Sequence, residues 1–343
     1  MRVLGIESSC DETAAAVVNH DGQVLSDVVA SQIAEHAPYG GVVPEIASRA
    51  HMRAVMPVVR SALSQVESGL DGIDAIAFTQ GPGLIGALLV GVQVGKAISF
   101  SRGLPMIGVD HLLGHLFAVF LRRGVEQKPP PKLPYVALLV SGGHTALYEV
   151  HGIDDVRMLG QSRDDAAGEA YDKVAKLLGL GYPGGPILDA MASKGNAKAV
   201  AFPRPMAKSN NLEFSFSGLK TAVAHYVKDR KGAWDDQALG DLAASFQAAV
   251  SEVLIDKSVA ALKLRGIKTL VITGGVAANQ GLRHLAETAS KNHGFSLHIP
   301  PLASCTDNAA MIAYAGLKLL DKQISSKMDA VAYSQSPLNR VGH

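Results

Sequence analysis

The chain has 343 residues, 48% hydrophobic and 18% charged, a composition that buries a large core and excludes general disorder and coiled coil. Lys and Arg number 32 against 31 Asp and Glu, a formal net charge of +1, so no overall electrostatic footprint marks a nucleic-acid binder. Two cysteines, Cys10 and Cys305, supply no disulfide framework and favour a reducing compartment.

From the N-terminus, Glu7 is reached before any apolar core of signal-peptide length has formed. A soluble, cytoplasmic protein with no membrane association is therefore expected. Arg2 to Val18 consists of an apolar run, a polar loop from Glu7 to Thr13 and a second small or apolar run, the pattern of a β-hairpin. A strand over Ala75 to Thr79 leads through Gly81-Pro82-Gly83 into an apolar helical stretch reaching Ser99. Its most apolar part, Leu84 to Val92, is followed by Gln93 and Lys96 and is too short to span a bilayer. A strand over Met106 to Val109 then feeds a helix from about Asp110. Arg122 to Pro134, with Lys128-Pro129-Pro130-Pro131-Lys132 inside it, is expected to form a stiff, exposed connector.

The second half repeats the first. Tyr135 to Val150 is again a hairpin, around Ser141-Gly142-Gly143-His144-Thr145. Thr269 to Thr273, with Gly274-Gly275-Val276-Ala277-Ala278-Asn279 and a helical stretch, repeats the strand, glycine turn and helix. Ser296 to Ile299 with a helix from about Asp307 completes a third pair. Three pairs in one order predict a duplicated α/β protein with a cleft between lobes. The lobes are residues 1–128 and 129–343, the second carrying a helical insertion at about 160–265. One open sheet with chance similarity between its halves is the simpler alternative.

Of 12 histidines, only His111 and His115 stand four apart on a predicted helix, which puts both imidazoles on one face. Asp307 starts the corresponding helix of the second half, so the repeat aims it at the same cleft. Two imidazoles and a carboxylate leave open positions on a Zn²⁺ or Fe²⁺ ion. The competing readings are packing histidines and, for Thr306-Asp307, a helix N-cap.

The loops Gly81-Pro82-Gly83, Gly142-Gly143, Gly184-Gly185 and Gly274-Gly275 admit close backbone approach to phosphate or adenosine. None is a P-loop or a well-placed GxGxxG. Asp11, Glu12, Asp164, Asp165, Glu169, Asp172 and Asp189 are acidic positions near loops, and Asp165, Glu169 and Asp172 also fit a solvated helix face. Cys10 reads as a small buried filler rather than a nucleophile. Arg204, Lys208 and Lys220 form a basic cluster for which a solvated loop is the plainer explanation.

Seven segments then carry a resemblance: Gly5 to Thr13, Gly40 to Glu45, His111 to His115, Val140 to Thr145, Gly168 to Lys173, Ser215 to Lys220 and Cys305 to Asn308. In this order they resemble the bacterial family that synthesises threonylcarbamoyladenosine in tRNA (TsaD), formerly called glycoproteases, over roughly Arg2 to Leu320. The resemblance implies an actin-like fold of the sugar kinase and heat-shock ATPase superfamily (ASKHA). It implies transfer of threonylcarbamoyl from threonylcarbamoyl-AMP to N6 of the adenosine beside the anticodon in tRNAs reading ANN codons, releasing AMP. By the same resemblance His111, His115 and Asp307 bind one divalent metal, Fe²⁺ first and Zn²⁺ second. Val140, Ser141, Gly142, Gly143, His144, Asp172, Gly185, Asp189 and Asn279 match the contacts to the adenine nucleotide substrate. Implied partners are tRNA, a small paralogous actin-like subunit (TsaB type) and a P-loop ATPase subunit (TsaE type). Glu12 or Asp11 is expected to assist proton removal or position the adenylate.

Three other classes match part of the pattern. A metallopeptidase lacks the His-Glu-x-x-His glutamate here. A phosphotransferase of the same superfamily needs no imidazole-bound metal. A non-catalytic chaperone or filament protein predicts no turnover.

Overall fold

In the computed structural model, which describes residues 1–124, 129–207, 209–230 and 234–339, the chain forms two five-stranded sheets. The first contains β1 (Arg2–Glu7), β2 (Glu12–Asn19), β3 (Val24–Ser31), β4 (Ala75–Gly81) and β5 (Met106–Asp110), in the order β3-β2-β1-β4-β5. The second contains β6 (Tyr135–Val140), β7 (Thr145–Gly152), β8 (Asp155–Gln161), β9 (Thr269–Thr273) and β10 (Ser296–His298), in the order β10-β9-β6-β7-β8. Read from the other edge, the second sheet is the first again. The pairing repeats as well: β1, β2 and β3 are antiparallel neighbours, as are β6, β7 and β8. The pairs β1–β4 and β4–β5 are parallel, as are β6–β9 and β9–β10. The duplicated fold class expected from the sequence is thus present, with β3 and β8 as a further strand in each half.

Alternation along each strand divides three cores. Beyond the single turn of α1 (Ile33–His36), Leu4, Ile6, Ile76 and Phe78 face outward onto α2 (Pro44–Ser64) and α3 (Ile85–Arg102). Val136, Leu138, Leu270 and Ile272 face outward onto the helices of the second half. These are α5 (Ala167–Leu177), α6 (Gly184–Ala192), α7 (Ser217–Asp229), α8 (Asp236–Arg265) and α9 (Gln280–His293). The opposite faces, with Val3, Ala75, Ala77, Ala137 and Leu139, share a central core with α4 (His111–Phe117) and α10 (Ala309–Asp321). A strand covered on both faces reads as an unbroken apolar run, and every residue of β6 is buried. By length and composition α8 could cross a membrane, but 72% of its most apolar window is buried, and it serves as a core helix.

The central layer ties the halves together. α10, the last α-helix among the described residues, packs across β1, β2, β4 and β5 of the first sheet and against α4. α4 in turn is held to the second sheet, where Thr273 Oγ1 donates to His115 O at 2.8 Å and Tyr135 OH donates to Leu116 O at 2.8 Å. Beyond α10 the chain returns along the first sheet. The Gly108 amide donates to Ser326 Oγ, Gln80 Nε2 donates to Val331 O, and the Tyr333 amide donates to Gln80 O. Of the expected connector, residues 125–128 lie outside the described residues, and so does the expected boundary at residue 128.

The contact between β1 and α10 depends on Gly5. A Cβ there would stand 2.8 Å from the Ala313 nitrogen and 2.9 Å from its Cβ, and closer still to the Ala309 carbonyl. Gly5→Ala is expected to cost about 1–3 kcal/mol through overpacking. Urea unfolding monitored by circular dichroism checks this, and an unchanged midpoint contradicts it.

Candidate functional site

The two helices of the central layer begin at the same place. Asp110 ends β5 and caps α4, its Oδ1 accepting from the amides of Leu112 at 2.9 Å and Leu113 at 3.4 Å. The other oxygen, Oδ2, accepts from Tyr333 OH at 3.0 Å and Ser336 Oγ at 2.7 Å, so the returning C-terminal segment fixes the start of α4. That fixes His111 and His115, both buried, with their rings edge to face at 4.8 Å between centroids. Asp307 precedes α10. The capping role weighed for Thr306-Asp307 belongs to Asn308, whose Oδ1 accepts from the Met311 amide at 2.9 Å. Asp307 is left to face the histidines, with Oδ1 3.0 Å from His115 Nε2 and 3.4 Å from His111 Nε2.

The three residues fit a divalent cation. Each offers one ligand atom and these atoms lie within 4.8 Å of one another, two imidazoles and a carboxylate being a donor set for Zn²⁺ or Fe²⁺. The surrounding charge points the same way. Burial disfavours a charged His111, yet Asp307 and Glu7 outweigh it and hold the imidazole well above its ordinary value. Burial likewise opposes ionisation of Asp307, but His111 and His115 hold it well below. Metal-free, the centre stores a proton on His111 between two carboxylates, where a cation would serve instead. His115 Nδ1 is buried with no hydrogen-bond partner among the described residues.

Asp11 and Glu12 stand beside this centre at the β1–β2 turn and interact through their carboxyl groups. Burial first, then Asp307 and Asp11, push the Glu12 carboxyl up to about 10. Burial, Asp11 and Asp307 also push the Cys10 thiol up, which removes the thiolate a nucleophile needs. The turn is clamped by buried His51, which meets Thr13 Oγ1 at 2.7 Å and the Cys10 carbonyl at 2.9 Å.

Across the centre lies the β6–β7 turn. The His144 amide donates to Ser141 Oγ at 3.1 Å and the Ser141 amide donates to His144 O at 2.8 Å. His144 is brought down to about 4 by burial and by the nearby His111 and His115, so it is neutral at pH 7. Val140 turns its side chain into the core. A Cβ at Gly142, Gly143, Gly185 or Gly275 would meet nothing within 4 Å, which leaves open space over these backbones. Asp172 Oδ1 accepts from the Gly184 amide at 2.7 Å, holding the start of α6. Asp189, on α6, accepts from the Gln280 amide at 3.1 Å, and Asn279 caps α9 while donating to Gln247 Oε1 at 2.7 Å.

Other positions take structural duties. Asp164 receives the hydroxyls of Ser215 and Ser217, and Lys173 pairs with Asp165 and Glu169. Of the basic cluster, Arg204 is paired with Glu252 at 2.8 Å and Lys208 lies outside the described residues. Sequence reading gave no role to Glu7, which touches His111, nor to Tyr333 and Ser336. Glu7 was visible only as part of the first turn motif.

A family model described as TsaD, tRNA N6-adenosine threonylcarbamoyltransferase, matches residues 23–314. The chain is 56% identical over 349 residues to the tRNA N6-adenosine threonylcarbamoyltransferase of Sorangium cellulosum, covering 99% of this chain and 98% of the relative. It is 54% identical to that of Geobacter sp. strain M21, with the same coverage. Among solved structures it is similar to T. kodakarensis HypF, with a TM-score of 0.60, 14% identity and coverage of 94% of this chain and 48% of that one. It is also similar to component A of the Acidaminococcus fermentans (R)-2-hydroxyglutaryl-CoA dehydratase, with a TM-score of 0.52, 15% identity and coverage of 93% and 98%. At these identities the structures establish the actin-like fold and nothing finer.

The Glu12 shift has a sign that can be checked in metal-free protein. A buried carboxyl whose folded value is raised leaves the unfolded chain free to ionise above about 4.5, so it erodes stability as pH rises from there towards 10. Glu12→Gln removes that penalty. The variant is expected to melt with the wild type at pH 4 and ~2 °C or more above it at pH 8, measured by calorimetry after chelation. A lower melting temperature at pH 8 contradicts the shift.

Proposed function

This chain belongs to the tRNA N6-adenosine threonylcarbamoyltransferase family, and we propose that it moves threonylcarbamoyl from threonylcarbamoyl-AMP to N6 of the adenosine beside the anticodon. The tRNAs are those reading codons that begin with A, and AMP is released. The observation that carries this is the convergence of His111, His115 and Asp307 beside glycine turns whose backbones face open space. The divalent ion that fits them, Fe²⁺ with Zn²⁺ as the alternative, supplies Lewis acidity towards an oxygen of the threonylcarbamoyl group.

The chain's own residues do the rest. Gly142 and Gly143, at the tip of the turn that Ser141 and His144 close, and Gly185 at the start of α6 present backbone without side-chain bulk to the adenylate. Asp172, Asp189 and Asn279 hold the starts of α6 and α9 against that site and offer polar groups to ribose and base. The N6 lone pair attacks the carbamoyl carbon, the carbon–oxygen bond to phosphate breaks, and AMP leaves with that electron pair. Attack by an amine between two bound substrates calls mainly for positioning and charge stabilisation. The N6 proton passes to a carboxylate, a part we assign to Asp11. Glu12, whose carboxyl group meets that of Asp11, holds Asp11 in place.

The lobes 1–128 and 129–343 would close on the two substrates from opposite sides. Met52 and Met56 on α2 and Ile85 and Leu89 on the adjacent α3 are exposed, an apolar face that suits the small paralogous subunit. The P-loop ATPase subunit and tRNA complete the working assembly, since near-neutral charge leaves part of the phosphate contact to partners.

Supplying threonylcarbamoyl-AMP, unmodified tRNA and the partner subunits should yield modified adenosine by mass spectrometry. No product, where a family relative works under the same conditions, overturns the reading. His111→Ala is expected to lose metal and product together, and retention of both refutes the ligand assignment. Asp11→Asn should slow product formation by about 10²-fold or more. An unchanged rate moves the proton acceptor elsewhere.

A further inference from the structure

We propose that Glu7 is the positioning residue of the metal centre: its carboxylate orients the His111 ring so that Nε2 is presented beside His115 and Asp307. This rests on those three residues being the ligands. Glu7 is the last residue of β1 and is fully buried. A buried carboxylate with no Lys or Arg is costly to keep, and among the described residues the only basic side chain paired with Glu7 is His111.

Its contacts account for both oxygens. Oε1 accepts from the Ser9 amide at 2.5 Å. Oε2 accepts from Thr79 Oγ1 at 2.6 Å and lies 3.0 Å from His111 Nδ1. Both oxygens accept, from Ser9 and from Thr79, so the hydrogen on this side of the ring sits on Nδ1 and Nε2 is the atom left for an ion. Ser9 Oγ stands farther from the same nitrogen, at 3.3 Å. A carboxylate behind a ligating imidazole fixes tautomer and ring orientation and raises the basicity of the ligand.

The support is rigid. Glu7 and Thr79 lie on β1 and β4, neighbouring parallel strands of the first sheet, so His111 is braced by the sheet rather than by a loop. His115 has no such brace, its Nδ1 being buried without a partner among the described residues. The centre is therefore asymmetric, with one imidazole oriented from behind and the other placed by α4 and Asp307 alone.

Glu7→Gln keeps the volume and removes the acceptor-only group. Co²⁺ binding, measured by chelator competition and by the visible absorption of the bound ion, is expected to weaken by about 10- to 100-fold, with an altered spectrum. Thr79→Val, which frees one side of the carboxylate, should weaken binding less, and Thr79→Ser should restore it. His111→Ala is the control for the ligand set, since loss of 1:1 binding there upholds the centre whatever Glu7 does. A folded Glu7→Gln protein that binds Co²⁺ within twofold of the wild type, with an unchanged spectrum, overturns the proposal. If Glu7→Gln does not fold, Thr79→Val decides in its place, and unchanged affinity and spectrum there overturn it equally.

Discussion

Everything at the centre of this molecule depends on α4 and α10 sharing one layer between two sheets. Each helix belongs by sequence to one half of a duplicated chain: α4 starts directly where β5 ends, and α10 follows β10 after a loop with one 3-10 turn. α10 crosses to the first sheet, and α4 hangs its backbone carbonyls on Thr273 and Tyr135 of the second. The two starts are thereby fixed relative to each other by packing on both sides. A close-packed layer does not deform smoothly, which is what a three-residue metal centre drawn from residues 111, 115 and 307 requires.

Charge is the counterpart of that packing. The helix starts and the β1–β2 turn bring Glu7, Asp11, Glu12 and Asp307 into one partly dry space, where like charges and burial act together on ionisation. The metal-free chain accommodates this by holding a proton on Glu12 and another on His111. A divalent cation held by His111, His115 and Asp307 would relieve the same strain. The facing wall differs, with open glycine backbones and a neutral His144 in the β6–β7 turn.

Local patterning made much of this legible before any coordinates. Hairpins, strand–turn–helix units and the four-residue histidine spacing are short-range signals, and the repeat of their order brought Asp307 to His111 across nearly two hundred residues. The rest depended on contacts that no local period encodes. β3 and β8 are edge strands with mixed burial and lack the continuous apolar run that marked β6. The capping of α4 by Asp110 was within reach of sequence, but its anchoring by Tyr333 and Ser336 joins positions more than two hundred residues apart. Glu7 was quoted as part of a turn, and its partners Thr79 and His111 lie 72 and 104 residues away. Asn308, next to the pair for which capping was the competing reading, shows how one position at a helix start changes a side chain's job.

The proposed site depends above all on two helix starts, one from each half, forming one metal centre. Anomalous scattering from crystals grown with Zn²⁺ or Fe²⁺, collected at the metal edge, locates the ion without reference to activity. One peak is predicted with imidazole nitrogens of His111 and His115 and a carboxylate oxygen of Asp307 at about 2.0–2.2 Å. A peak held instead by Asp11 and Asp172, or none at the helix starts in a protein that carries stoichiometric metal, would contradict it.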